Sequence, residues 1–371
     1  MKISSIECIP VRVPIRTDVA IRAKGGTHSV SPFLLVKIYT TEGITGLGEV
    51  SATPRWSGED QVTAAHFIRT ILAPAIVGED PRNAGLLSAR MRAALAVNAF
   101  TRAALEMALW DIRGKAEGVP VYQLLGGAVR SSVTTKWSIS GVDPERAAGI
   151  ARWAVEQGFR TVKVKVGIDP VEDVARVRAV RAAVGDGVRI GVDANGAWTP
   201  AVAVEMIHRL CESGIYFAEQ PVPAGDMTWL AEVRGQVKIP ILADESVYSP
   251  VDAQAIVREK AADAISVYVG KAAGIGPAME VSEIAQAASL GCTVGSNLEL
   301  GVGTAAMIHL ALASRGITPE EYPCDIIGPL YYSDELLQVP LDLGHGRAMA
   351  PQGAGLGVEL DDEKVRRYRV D

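Results

Sequence analysis

Asp193, Glu219 and Asp244 each end a short apolar run, in IGVDANG, YFAEQPV and ILADESV, at intervals of 26 and 25 residues. A single Asp at a strand end is commonly a turn residue or a helix cap. Three in phase are harder to explain that way, because clustered carboxylates repel unless they are protonated or bound to a cation. An all-oxygen trio suits Mg²⁺, with Mn²⁺ able to stand in, and leaves positions for water or substrate. None of the five histidines falls at a strand end near this set, which argues against zinc. Upstream, TVKVKVGID places Lys163 and Lys165 on one face of a strand, about 7 Å apart, opposite Val162, Val164 and Val166. Alone, such a pair reads as two solvated lysines on an edge. Beside the carboxylates it reads as a base. Two ammonium groups at that distance repel by about 2 kcal/mol at an effective dielectric near 20, enough to pull one pKa down and make that lysine a general base. A neighbouring cation would hold a substrate carboxylate and stabilise the enediolate left when its α-proton is removed.

Chemistry of this kind needs a scaffold that brings strand ends to one point. From about residue 130, short apolar strands alternate with Ala-rich amphipathic helices every 25 to 30 residues or so, from TTKWSIS through TVKVKVG, RIGVDANG, YFAEQPV, ILADESV, DAISVYVG and CTVGSNLE to a strand near CDIIGPL. This is the rhythm of an α/β barrel of parallel strands, whose active groups lie at the C-terminal strand ends. An open doubly wound sheet shares the alternation. The earlier residues differ. FLLVKIYT and ITGLGEV flank the turn TEG as a hairpin, and the helical stretches EDQVTAAHFIRTILAPAI, NAGLLSARMRAALAV and AFTRAALEMALWDIRGKAEG follow, which makes an α+β module. The expected division is an α+β capping domain over 1–128, the barrel over 129–328, and a Gly- and Pro-rich segment over 329–371 that returns to the capping domain.

In these residues the chain resembles the enolase superfamily, and within it the muconate lactonizing subgroup. The resemblance covers essentially the whole chain. AALEMALWDIRGKAEGVPVYQLLGG is similar to the family's signature at the junction of cap and barrel, and K-V-K, D-A-N, E-Q-P and A-D-E-S follow in the family's order. It implies an N-terminal α+β capping domain over a (β/α)7β TIM-like barrel, with Mg²⁺ on Asp193, Glu219 and Asp244. It also implies Lys165 as acid/base, with Lys163 tuning it and contacting the substrate carboxylate. Asn195 and Glu299, the latter in LELGVGTAAMIHLA, are expected at the substrate. CDIIGPLYYSDELL resembles the family's eighth strand but carries a single Asp325 and no D-x-D, which counts against dipeptide epimerisation. The sixth strand of the family usually reads D-x-x-x-x-K. Here DAISVYVGKAAGI puts Tyr268 at that place, and Lys271 lies three residues further on. Tyrosine, with an ordinary pKa near 10, is a poor base but a fair donor. One-base chemistry on the Lys165 face survives the change, as in syn cycloisomerisation or elimination.

A net charge of −6 offers no basic face for nucleic acid. Cys8, Cys211, Cys292 and Cys324 lie far apart with no metal-ligand spacing and read as reduced buried thiols. MKISSIECIPVRVPI reads as a strand, not a signal or a membrane span, so a cytoplasmic enzyme is expected. GVGTAA at 301–306 mimics a dinucleotide loop but follows polar SNLEL and lacks a fitting acidic strand end. By the family's habit, loops of the cap choose the substrate. Arg22, Lys24 and Arg55 are placed to receive a distal carboxylate and Trp56 to wall the pocket. The expectation is a Mg²⁺-dependent cycloisomerase-like enzyme, assembling as a homo-oligomer and acting on a small carboxylate. A dehydratase, a racemase or epimerase, and a non-catalytic binding homologue are the alternatives.

Overall fold

The computed structural model describes residues 1–19, 21–23 and 26–370, with backbone alone at 21–23 and 26–28. The chain opens with β1 (Ile3–Pro14), whose alternation buries Val11 and Val13 and leaves Arg12 outside. β2 (Ile21–Ala23) and β3 (Gly26–His28) pair antiparallel, with Ile21 opposite His28, where the sequence suggested only a loop. β4 (Val30–Thr40) and β5 (Thr45–Val50) form the expected hairpin and complete an antiparallel sheet in the order β1-β4-β5. The helix Ala99–Glu117 lies so close on this sheet that a side chain at Gly46 or Gly48 would strike the carbonyl oxygens of Ala108 or Ala104. Glycine is needed there for the close approach. Sheet and helices together make a cap.

After β6 (Ser132–Thr134) the rhythm becomes parallel. β7 (Trp137–Ile139), β8 (Thr161–Lys165), β9 (Arg189–Asp193), β10 (Ile215–Glu219), β11 (Ile241–Ala243), β12 (Ala264–Val267) and β13 (Gly291–Val294) lie side by side in chain order in one seven-stranded curled sheet. Their short apolar runs are buried because each is followed by a helix laid back on the sheet. The crossovers start on local signals. Proline opens Pro144–Glu156, Pro170–Val184 and Pro250–Glu259, while Asp143, Asp169 and Ser249 accept from the first helical N–H groups.

The eighth run makes only an isolated bridge, but its backbone touches both edges of the sheet. Asp325 N donates to Val294 O at 2.8 Å, Cys324 N donates to Thr134 O at 2.9 Å, and Lys136 N donates to Cys324 O at 3.0 Å. The last segment lies partly on the cap, where Ser333 N donates to Pro14 O and Val370 N to Pro10 O. Within it, β14 (Arg347–Met349) pairs with β6.

Two buried cap carboxylates tie the halves together. Glu49, in β5, accepts from Leu300 N (2.7 Å) and Gly303 N (2.9 Å) at the start of the helix Gly301–Ala313. Glu106 accepts from Ile275 N (2.7 Å), Gly276 N (2.9 Å) and Trp110 Nε1 (2.8 Å) at the start of Ile275–Ala287. Each occupies the positive end of a helix. Burial nevertheless dominates, pushing Glu49 up to about 8 and Glu106 up to about 7. GVGTAA is therefore the start of a helix at which Leu300 N and Gly303 N are already taken by Glu49. Among the described residues no helix is long and apolar enough to cross a membrane. The four cysteines are unpaired, with Cys211 only half-buried rather than buried as expected.

Candidate active site

The parallel register decides what meets. Lys165 and Asp193 are partners at the ends of β8 and β9, Asp193 and Glu219 at the ends of β9 and β10, and Asp244 follows β11 directly. Three adjacent strands therefore deliver three carboxylates to one end of the sheet, each 1% exposed. Lys163 and Lys165 share a face, as period two requires.

Each carboxylate is matched to a different ammonium. Lys165 Nζ lies 2.5 Å from Asp193 Oδ2. Lys163 Nζ lies 3.0 Å from Glu219 Oε2 and 2.9 Å from Asp325 Oδ2, with Asp193 Oδ2 at 3.6 Å. Lys271 Nζ takes Asp244 Oδ1 and also donates to the carbonyls of Asp244 (2.6 Å) and Ser266 (3.0 Å). Both lysines of the K-V-K pair therefore have carboxylate partners, which the sequence pattern did not reveal. Burial alone would lower the Lys163 pKa, but Asp325, Glu219, Asp193 and Asp244 outweigh it and hold the group well above its usual value. Lys163 is thus held as a cation by its carboxylate partners.

The carboxylates feel their crowding. Burial first, then Asp193, Asp244 and Asp325, push Glu219 up to about 8 against the pull of Lys163. Glu219 Oε2 lies within ion-pair distance of Lys163 yet out of line, so it has no hydrogen-bond partner. A buried carboxylate oxygen without a donor, in an all-oxygen set, fits a hard cation such as Mg²⁺. As they stand, no three acidic, imidazole or thiol groups among the described residues converge closely enough to grip an ion at once, and the lysine ammonium groups lie between them.

Tyr268 follows β12 and donates to Asp244 Oδ2 at 2.7 Å. Its ring lies 4.1 Å from Lys271 Nζ and stacks on Trp56 of the cap at 5.4 Å and 23°. Lys271 is 1% exposed and bonded on all sides by Asp244 and Ser266, so it does not face the mouth in place of the missing sixth-strand lysine. Asn195 Oδ1 accepts from Lys165 Nζ at 2.9 Å. Glu299 has both oxygens engaged by its own turn, from Ser296 Oγ (2.5 Å) and Asn297 N (3.2 Å). Trp56 Nε1 donates to Glu245 Oε1 at 3.1 Å. Arg55 is exposed. Arg22 belongs to β2 with its side chain outside the described residues, and Lys24 lies outside them altogether.

Three polar residues in these contacts went unassigned in the sequence. Glu245 adjoins Asp244 and contacts Trp56 and Asn195. Lys136, 1% exposed, lies 3.0 Å from Asp325 and donates to Pro323 O at 2.5 Å. Asp325 is thereby gripped by two lysines, and although burial opposes it, Lys136 and Lys163 hold its pKa below the usual range. A lone lysine within the first strand run, TTKWSIS, was the available signal.

Residues 5–126 match the family described as the mandelate racemase/muconate lactonizing enzyme N-terminal domain, and residues 145–365 match the enolase C-terminal domain-like family. Muconate cycloisomerase 1 of Rhodococcus opacus is 35% identical over 344 residues, covering 92% of this chain and 91% of that protein. An N-succinyl-L-Arg/Lys racemase of Bacillus cereus is 32% identical over 371 residues, covering 100% and 98%. The crystal structure of 2-chloromuconate cycloisomerase from Rhodococcus opacus 1CP superposes with a TM-score of 0.96 at 31% identity, covering 100% of both chains. With both halves matched and relatives along nearly its whole length, the chain belongs to the mandelate racemase/muconate lactonizing enzyme family of the enolase superfamily, in its muconate lactonizing enzyme-like subgroup.

Proposed function

We propose that the protein is a Mg²⁺-dependent cycloisomerase in which Lys165 moves a proton α to a carboxylate. One observation carries this reading. Of the four lysines paired with these carboxylates, Lys165 has a side chain 16% exposed, against 4% for Lys163 and 1% for Lys136 and Lys271. It is the ammonium a substrate can reach. In the lactonising direction one substrate carboxylate oxygen bonds to a carbon of the diene, and Lys165 gives its proton to the carbon α to the other carboxylate. Bound by Asp193, Glu219 and Asp244, the divalent ion would supply positive charge beside that second carboxylate. Lys163 would add a fixed positive charge, and Asn195 would hold Lys165 in line.

The racemase relative favours a second reading, because it aligns along the whole chain. Racemisation by two bases needs a group on each face of the carbanion, and Tyr268 and Lys271 are both committed to Asp244. Cycloisomerisation asks only for the Lys165 face. The test is incubation with Mg²⁺ in D₂O and a panel of muconates, N-acyl amino acids, dipeptides and hydroxy acids, followed by proton NMR. Lactone with deuterium on one face supports the cycloisomerase. Exchange with inversion of an N-acyl amino acid would replace it with the racemase.

The same reading treats the curled sheet as a closed (β/α)7β barrel over 129–328, under a cap formed by 1–128 and joined by 329–371. Support comes from the bonds by which Cys324 and Asp325 reach Thr134, Lys136 and Val294.

A further inference from the structure

We infer that Glu245 and Trp56 are positioning residues for Lys165, joined to it through Asn195 in a hydrogen-bond chain that starts in the cap. The inference rests on the reading of Lys165 as the acid/base group. Trp56 Nε1 donates to Glu245 Oε1 at 3.1 Å, Asn195 Nδ2 donates to the same oxygen at 2.9 Å, and Lys165 Nζ donates to Asn195 Oδ1 at 2.9 Å.

The chemistry of the groups gives the chain one direction. An indole N–H only donates, a carboxylate only accepts and an ammonium only donates. Asn195 sits between an acceptor and a donor, so it must turn its NH₂ to Glu245 and its carbonyl to Lys165. Without the acceptor at 245 only the ammonium selects that orientation, and the Asn195 NH₂ loses the partner that holds it. Glu245 therefore acts on Lys165 by fixing, from the far side, the end of Asn195 that faces it.

Asn195 and Trp56 are each held in place. The backbone of Asn195 is in the left-handed region (φ 44°), which Asn tolerates, and its N donates to Asp193 Oδ1 at 2.9 Å. The Trp56 ring stacks on Tyr268 and meets the edge of Phe100, with centroids 6.0 Å apart. Displacing the segment around Trp56 would remove one partner of Glu245 and loosen the link to Lys165. Cap and base are coupled by geometry, through Glu245 and Asn195.

The experiment compares Glu245→Ala, Glu245→Gln and Trp56→Phe, with and without substrate. With cis,cis-muconate and Mg²⁺, Glu245→Ala should lower kcat at least tenfold with KM changed less than about threefold. Glu245→Gln keeps an acceptor oxygen and should recover most of the loss, and Trp56→Phe should fall between them. Equal loss in the Ala and Gln variants, or a change in KM alone, would overturn the proposal. The second arm needs no substrate. Lys165 is acetylated with acetic anhydride and quantified by peptide mass mapping. Glu245→Ala should change the Lys165 rate at least threefold relative to Lys238, an exposed lysine remote in sequence from Lys165, while Glu245→Gln should not. An unchanged Lys165 rate in Glu245→Ala overturns the chain even if muconate is not a substrate. A changed rate without muconate turnover upholds the chain and rejects the cycloisomerase reading.

Discussion

Tyr268 and Lys271 divide one carboxylate between them. The phenol donates to Asp244 Oδ2 at 2.7 Å and the ammonium takes Oδ1. Both polar groups that follow β12 are thus committed to the carboxylate that follows β11. Burial, then Asp244, hold the Tyr268 pKa well above 10, so the phenol keeps its proton near neutrality. The phenol and the ammonium thus both support a candidate metal ligand.

Tyr268→Phe tests that role. Removing a hydrogen bond to a ligand carboxylate costs about 10- to 100-fold in metal affinity or activity. Calorimetric titration with Mg²⁺ should show weakening toward the lower end of that range, since Lys271 remains on Asp244, and the product should keep its handedness. Unaltered affinity would reduce the tyrosine to a filler of the sheet end.

Lys165→Ala should lower turnover by about 10³-fold, within the range lost with a general acid or base. Mg²⁺ affinity should hold or rise, because the ammonium 2.5 Å from Asp193 no longer competes for it. Turnover close to wild type would remove Lys165 from the mechanism.

Mg²⁺ at about 100 times its Kd should stabilise the protein by about 2.7 kcal/mol. The rise in Tm should vanish on chelation and be absent in Glu219→Gln. A Glu219→Gln variant that responds like wild type would show that the ion, if bound, sits elsewhere.

Glu106 carries a pH signature. Its folded pKa, about 7, lies above the ordinary carboxylate value, so the folded state holds a proton that the unfolded state has released. Its contribution is fully present below about pH 4 and is lost as pH rises to about 7, on the order of 3 kcal/mol in all. Urea unfolding at intervals from pH 5 to 8 should show wild-type stability falling along this slope. Glu106→Gln, which cannot titrate, should have a flatter profile. Parallel profiles for the two proteins would rule the group out.

Lys136→Met should destabilise the protein by about 3 kcal/mol, the lower end of the range for breaking a buried ion pair, because Lys163 still reaches Asp325. Adding Asp325→Asn should recover part of that loss in denaturant melts. A double variant weaker than the single would mean that Lys136 serves Pro323 O more than Asp325.

Much of this molecule was written in local patterns. The period-two run at Lys163 and Lys165, the carboxylates spaced one repeat apart at Asp193, Glu219 and Asp244, and the prolines and caps opening the helices are short-range signals. They determined the alternating strands and helices, the parallel sheet and the candidate ligands, because a strand's side-chain direction and a helix's first turn depend on neighbours in sequence. Partnership across the fold was not written there. That Lys163 faces Asp325 and Glu219 rather than repelling Lys165, that Tyr268 leans on Asp244, and that Trp56 reaches Glu245 from the cap all join residues at least 24 positions apart. The charge state of a buried group is the sum of such contacts and of lost solvent. Only the tertiary structure could decide it, because the lysine pair that looks self-repelling in sequence lies among carboxylates delivered by other strands.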